Sequence, residues 1–413
     1  MALSLIDRIR VEEKLLVLCG ATFLVMAGQG VVSPVLPLYA SEFGVGTTMI
    51  GLTITTFALA RLLLNVPAGF IADRFGRRAI LIGGPAITSV GMIGSGLADS
   101  IWTLLAWRFV AGAGSALYMG GAMVYLMDIA RPDQLSRYVA TNQWALALGV
   151  SLGPGIGGLA AEQWGLSAPF FVVGVTALTA SVYSMFRLPE TRDTQVEVKQ
   201  VVKDSVEDTP PAGVRDLALS RPFLLLAAAA MTIFVARGGI RGTLMPLRAQ
   251  EALGWGPSEI GLLFTFTGLM TLFTLMPAGR AADNIGRRSV ILFSGVMAGA
   301  GALVVAGSAT VAGFVVGNVV MSLGTGTAGP APAAFVADLT PTHLRGVVVG
   351  LYRSAGDLGV IAGPVLLGLL ADRVSISWSM AVAAILVAAA GIAFYVGNRD
   401  HPAAGRQIHS AGS

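Results

Sequence analysis

The chain has 413 residues, of which 54% are hydrophobic and 12% charged, about half the charged share of an average soluble domain. That balance excludes an ordinary soluble enzyme and reads as a membrane protein: runs of about 20 apolar residues recur, the length a helix needs to cross a bilayer, while the short alternating segments of an outer-membrane barrel are absent. The formal charge of +4 is dispersed over short loops, which argues against a nucleic-acid partner, and a single Cys19 excludes an intrachain disulfide.

In chain order, an amphipathic start with Arg8, Arg10 and Lys14 precedes span 1, about Leu15 to Tyr39, whose end carries Pro34 and Pro37. This run is too long for a signal-peptide core and reads as a retained span. Span 2 (about Thr48 to Ala72) runs into a charged turn, Gly69-Phe-Ile-Ala-Asp73-Arg74-Phe-Gly76-Arg77-Arg78. Span 3 (about Ala79 to Ala98), a short Asp99-Ser100 loop, span 4 (about Ile101 to Met127), a polar loop from Asp128 to Ser136, span 5 (about Arg137 to Ala161) and span 6 (about Ser167 to Phe186) complete a first half. From Arg187 to Ser220 charges and prolines cluster without a sustained apolar face, the composition of a soluble linker. Spans near Pro222 to Leu247, Ser258 to Ala282, Ser289 to Ser308, Val311 to Ala337, Arg345 to Ala371 and Ile376 to Val396 follow, then a Gly-rich tail that reads as disordered. The expected organisation is a six-helix half over 1–187, a linker over 188–220, a second six-helix half over 221–398 and a tail over 399–413.

The two halves are one pattern written twice. Gly279-Arg-Ala-Ala-Asp283-Asn-Ile-Gly286-Arg287-Arg288 repeats the charged turn, and 283 minus 73 is 210. At the same offset of 210, Gly51 meets Gly261, Pro67 meets Pro277, Asp128 meets Asp338, Gly149 meets Gly359, and Gly153-Pro154 meets Gly363-Pro364. Shared register across half the sequence marks a duplicated architecture. The predicted fold is therefore all-α, with 12 transmembrane helices in two pseudo-symmetric six-helix halves.

Twenty Lys and Arg residues fall in loops on one side and only Arg248 and Arg373 on the other, so the positive-inside rule predicts cytoplasmic termini and a cytoplasmic linker. Arg61, Arg108, Arg237, Arg241 and Arg353 lie within spans, joined by one acid, Asp357. A charge at a helix centre is unfavourable by roughly 2.5–3.5 kcal/mol on insertion scales, so such residues are expected to face a cavity or a partner.

Two six-span halves, a charged loop repeated between spans 2 and 3 and between 8 and 9, and a central hydrophilic linker resemble the major facilitator superfamily over nearly the whole chain. The resemblance implies that Asp73 locks the two halves near the start of span 11 and that Arg77 meets Asp128 at the end of span 4; Gly69, Arg74, Gly76 and Arg78 complete the gate, with Asp283, Arg287 and Asp338 as second-half counterparts. Gly69 and Gly76 are expected to allow close helix approach and a tight turn. The bland alternative is that these charges only set topology. Arg108-Phe-Val-Ala-Gly112-Ala-Gly114 in span 4 resembles a second family signature, associated with proton transfer. An arginine stays charged, so Arg108 is expected to tune an acid or hold substrate, or else to serve a structural bond. Gly149-Val-Ser-Leu-Gly153-Pro154-Gly-Ile-Gly157-Gly158-Leu159 in span 5 resembles the Gly-x-x-x-Gly-Pro-x-x-Gly-Gly-x-Leu pattern that in the family marks exporters exchanging substrate for protons, matching its glycines and proline, with Ala160 where its leucine would stand. The second half departs from it, with Leu367 where a glycine would sit.

The resemblance places a substrate cavity at mid-membrane, with Gln29, Arg61, Tyr118, Tyr125, Asn142, Gln143, Arg237 and Arg241 as lining candidates and Asp357, Arg353 and Arg108 as candidates for proton coupling. Arg353 and Asp357 stand four apart on one helix, a pairing distance. With five arginines within spans against one acid, the interior favours a neutral amphipathic or anionic substrate over a dication. Expected partners are a small-molecule substrate, protons and the bilayer. Neither cofactor nor metal is expected, the energy source is the proton gradient, and the chain is read as a monomer in a bacterial inner membrane. Gly149-Val-Ser151-Leu-Gly153 spells a nucleophile elbow by accident, outside any strand-turn-helix context, so an enzyme is not expected. The alternative function is proton-coupled or facilitative transport of a specific organic anion or metabolite.

Overall fold

The computed structural model of the protein describes residues 5–130, 134–191, 216–340 and 345–399. Among them every regular element is helical: α1 (Leu5–Val32), α2 (Leu36–Ser41), α3 (Thr47–Phe75), α4 (Arg77–Gly96), α5 (Ile101–Ile129), α6 (Leu135–Trp164), α7 (Ala168–Arg187), α8 (Arg221–Val235), a π-helical segment (Ala236–Leu244), α9 (Met245–Leu253), α10 (Pro257–Asn284), α11 (Arg287–Gly307), α12 (Val311–Thr327), α13 (Pro330–Leu339), α14 (Arg345–Arg373) and α15 (Ile376–Gly397). Counting α8 to α9 as one span and α12 with α13 as another, these form twelve spanning elements among the described residues, and ten are long and apolar enough to cross a bilayer on length and composition alone.

Two expected continuous spans are interrupted. The seventh loosens into the π segment where Gly238, Gly239 and Gly242 offer no side chain to hold the tighter helix. There the Thr243 hydroxyl donates to the Gly238 carbonyl five residues back, at 3.1 Å. The tenth breaks at Ala328-Gly329, because Pro330 and Pro332 lack the N–H groups that would continue it. Ends are capped in register with the repeat: Ser100 accepts from the Thr103 N–H in a reciprocal capping box, and Thr310, 210 residues on, accepts from the Gly313 N–H.

The helices cluster into two compact units: residues 1–45, 56–209 and 256–265 in one, 46–55, 210–255 and 266–413 in the other. In the first, α1 packs on α6 and α7, and α4 on α5 and α7. In the second, α8 packs on α14 and α15, and α11 on α12 and α15. Each pair in one unit has its repeat-related pair in the other. Small residues make these contacts, as expected where lipid supplies no hydrophobic drive between helices. A Cβ on Gly91 would lie 2.5 Å from the Ala111 nitrogen, and one on Gly114 would lie 2.5 Å from the Gly84 carbonyl and Thr88 nitrogen; at their counterparts, Gly301 meets Met321 and Gly324 meets Ala298. Large apolar side chains such as Phe70, Trp102, Phe186, Phe273 and Trp378 point outward, each exposed, the pattern of helices solvated by lipid.

The residues just after the sixth span are packed. α7 stops at Arg187, but Leu188 is buried and Glu190 and Thr191 dock onto the first charged turn. Residues 192–215 and the tail beyond residue 399 lie outside the described residues.

Candidate functional site

The first charged turn is built around Gly76, which joins α3 to α4 with φ +93, a conformation that side-chain-bearing residues rarely adopt. A Cβ there would also strike the Glu190 carboxylate. That carboxylate accepts from the backbone N–H groups of Arg77 (3.0 Å) and Arg78 (3.2 Å), so the start of α4 is capped by an acid from beyond α7, where negative charge meets the helix dipole favourably. The Arg77 guanidinium donates through Nε to Asp128 Oδ2 at 3.0 Å and through Nη1 to the Ala72 carbonyl at 3.1 Å. The two side chains are 3% and 0% exposed. Thr191 donates its hydroxyl to the same Asp128 oxygen at 2.8 Å, satisfying a lone pair that burial would otherwise leave empty. Arg78 reaches the Met185 carbonyl at 2.6 Å, and exposed Arg74 lies 5.6 Å over the Phe75 ring.

Arg77 and Asp128 are thus brought together, with Glu190 and Thr191 as members that the linker reading hid. Asp73 and Asp283 lie in the last turns of α3 and α10, their side chains outside the described residues. Gly69, expected at a close helix approach, has no described atom within 4 Å of where its Cβ would be. In the second unit, Gly286 repeats the turn with φ +91, and Arg287 pairs with Asp338 and donates to the Ala334 carbonyl. That pair is more open, with side chains 25% and 37% exposed. Arg288 stacks 4.0 Å over the Tyr395 ring.

The span-5 glycines form two faces of α6. Gly149, Gly153 and Gly157 lie against the α1 backbone from Phe23 to Val31, where an added Cβ would clash with main-chain atoms at each position. Gly158 meets the Pro257 carbonyl, and the Pro154 carbonyl meets Gly261; one turn on, the Gly155 N–H donates to Thr265 Oγ1 at 2.8 Å. Ser151 of the accidental elbow is buried within α6, with no strand beside it to present a nucleophile.

Arg108 is 6% exposed, its guanidinium 4.6 Å over the Phe57 ring and within reach of Met92 Sδ, a desolvated cation on an aromatic face. Gln29 donates to Ser115 at 2.8 Å. Tyr118 and Tyr125 are fully buried in the helix packing of the first unit, Tyr118 sharing a 2.9 Å hydrogen bond with Thr22. Among the described residues the Tyr125 hydroxyl and the carbonyl oxygen of buried Asn142 have no partner. Gln143 is exposed and Arg61 half-buried.

In the second unit, the π segment carries Arg237 and Arg241. Arg237 donates to the Thr325 carbonyl at 2.8 Å and lies 5.3 Å over the Phe234 ring. Arg241 donates to Ser322 at 3.3 Å and Thr267 at 3.1 Å. Tyr352 on α14 lies within electrostatic reach of both Arg237 and Arg353. Arg353 is exposed and bonded to no described residue, whereas Asp357 is half-buried and engaged. Both sit on the stripe of α14 that continues through Ile361 and Pro364, residues that pack against Thr55 and Gly51. Thr267, Ser322, Thr325 and Tyr352 were missed in the sequence because hydroxyls in apolar runs carry no pattern of their own.

The Major Facilitator Superfamily profile matches residues 18–247 and 233–412. The chain belongs to the major facilitator superfamily. It is 25% identical over 364 residues to multidrug resistance protein 2 of Bacillus subtilis, covering 86% of this chain and 88% of that protein. It is 25% identical over 378 residues to the class B tetracycline resistance protein of Escherichia coli, covering 91% of each. The crystal structure of a bacterial homologue of the human lysosomal transporter Spinster, inward-facing and occupied, superposes with TM-score 0.79 at 15% identity, over 95% of this chain and 98% of that one. As a major facilitator superfamily member the chain is a multi-pass membrane transporter, and its cargo is a small molecule carried across the bilayer.

Proposed function

We propose that this transporter exports small amphipathic or hydrophobic compounds in exchange for protons, by alternating access, and that its substrates are neutral or singly anionic rather than dicationic. The observation that carries the reading is α6: the glycines and proline of the family's antiporter pattern are all present, with Ala160 where its last leucine would stand, and they form a helix that lies backbone to backbone on α1 and on the start of α10. The relatives named for multidrug and tetracycline resistance support the same direction of transport. Asp357, the one acid well inside a span, is the proposed proton carrier. In this reading the gate residues at the two charged turns hold the conformations between which transport alternates, both termini are cytoplasmic, as the loop charge bias predicts, the membrane is a bacterial inner membrane, and the protein acts as a monomer without a cofactor. Proteoliposomes under an imposed pH gradient test the reading: gradient-driven movement of a neutral or anionic compound that disappears in Asp357→Asn is expected, and movement indifferent to gradient and mutation removes it.

A second reading, a carrier for a specific organic anion, is favoured by Arg237 and Arg353, neither of which has a carboxylate partner among the described residues. Guanidinium groups match carboxylates, and an anion seated near Asp357 would bind best when that carboxyl is protonated. Positive linkage of anion and proton gives cotransport, whereas exchange requires protonation to weaken substrate binding. Substrate affinity rising as pH falls therefore supports the anion carrier; affinity falling supports the exporter.

A further inference from the structure

The two ends of α3 are held differently. One end enters the Gly76 turn. At the other, α3 starts at Thr47 after Gly44-Val45-Gly46, and Gly46 has no side chain with which to cap it. The missing cap comes from Asp372, in the last turn of α14. Asp372 Oδ1 accepts from the Thr47 N–H at 2.6 Å, and Oδ2 accepts from the Thr48 N–H at 2.9 Å and the Thr48 hydroxyl at 2.6 Å. Both oxygens are used, donors and acceptor stand 324 or 325 residues apart, and a carboxylate lies on the positive end of a helix. A Cβ on Gly46 would approach Asp372 Oδ2 to 2.9 Å, so the bare glycine keeps the seat open.

Below this lock the two helices run together like a zipper. Gly368 meets Thr47 and Thr48, Gly51 meets Pro364, and the Thr55 hydroxyl donates to the Ile361 carbonyl at 2.7 Å. The repeat supplies a natural comparison, since α10 makes the matching zipper on α6 through Gly158, Gly261 and Thr265. The residue matching Asp372 is Glu162, because 372 minus 210 is 162. Glu162 is bonded to no described residue; instead α10 is capped from within by Glu259, which accepts from the Gly256 N–H at 3.0 Å and the Ser258 hydroxyl at 3.2 Å. One zipper closes on a bond between the two sequence halves and the other does not.

The cap joins a helix of the first sequence half to one of the second. α3 is one helix, yet residues 46–55 cluster with the second unit, as α14 does, and the remainder with the first, so a rocking in which α3 moves as one rod with the first half has to part its start from α14. We propose that Asp372 is a positioning residue for alternating access: it latches the start of α3 to α14, and its release is the step that opens the end of the transporter opposite the charged turns. The proposal holds for transport in either direction and does not depend on the exporter reading.

The test is a distance measurement on the full chain in nanodiscs. Spin labels are placed on Glu42→Cys and Val374→Cys, both exposed positions, in a Cys19→Ser background, and the pulsed-EPR distance distribution is compared among the parent, Asp372→Asn, Asp372→Ala and Glu162→Gln. The parent is expected to hold a dominant close population. Loss of charge-assisted bonds raises the ratio of separated to close labels by about tenfold in Asp372→Ala, with Asp372→Asn between it and the parent and Glu162→Gln matching the parent. If the alanine variant does not fold, the asparagine variant carries the same comparison. An Asp372 variant that superposes on the parent, a Glu162→Gln shift as large as that of Asp372→Asn, or a parent without a close population overturns the proposal.

Discussion

At the scale of single residues, the two Arg–Asp pairs show how one motif is spent differently in its two copies. Arg77 and Asp128 are sealed, and Arg287 and Asp338 are partly open to solvent. Removing one member of a buried pair strands the other, at about 3–5 kcal/mol, while an exposed pair is worth about 0–1 kcal/mol. Asp128→Ala is therefore expected to lower the melting temperature of the detergent-solubilised protein sharply, and Asp338→Ala only slightly; equal shifts would contradict this. Two glycines of the same loop separate as clearly. Gly76→Ala meets an unfavourable φ and the Glu190 carboxylate, and should destabilise the protein by more than about 1 kcal/mol. Gly69→Ala meets open space and should leave the melting temperature unchanged. The sequence made Arg77 and Asp128 legible because both are charges at the edge of apolar runs; Glu190 was not, because an acid in a charged, proline-bearing stretch looks like any other linker residue until its helix cap is seen.

At the scale of elements, helix existence was readable because twelve apolar runs leave few alternatives in a bilayer, and the register of 210 foretold which helices pack alike. The π segment and the break before Pro330 were not readable, since both depend on which neighbour takes up the freed backbone. Gly238 and Gly239 are set against Pro364 and Gly363 of α14, a contact no local pattern announces. The glycine faces of α6 make a direct prediction. Gly153→Ala pushes a methyl group into the Ala27 carbonyl and the Val31 nitrogen, so α6 must separate from α1, and both melting temperature and transport rate should fall. Gly83→Ala in α4 has no described atom within 4 Å and should be neutral or slightly stabilising, because alanine is the better helix former by about 1 kcal/mol. A Gly153→Ala protein with parental transport would show that close packing at this seam is dispensable.

At the scale of the whole molecule, duplication supplies the frame and departures from it mark where the copies are used differently. Arg237 and Arg241 fall opposite Ala27 and Val31, and Arg108 opposite Asn318, each at the offset of 210; the charged interior is not itself duplicated. Asp357 stands opposite Ala147 at the same offset of 210, so the proposed proton carrier has no counterpart in the first half. The measurement that tests proton-coupled export most directly is uptake into proteoliposomes loaded at one pH and diluted into another, across a panel of neutral, anionic and cationic amphipathic compounds, with parent and Asp357→Asn side by side. The account predicts movement of neutral or singly anionic compounds against the proton flow, abolished in Asp357→Asn while its melting temperature stays parental. Transport that is equal with and without the gradient, or parental in Asp357→Asn, would contradict it.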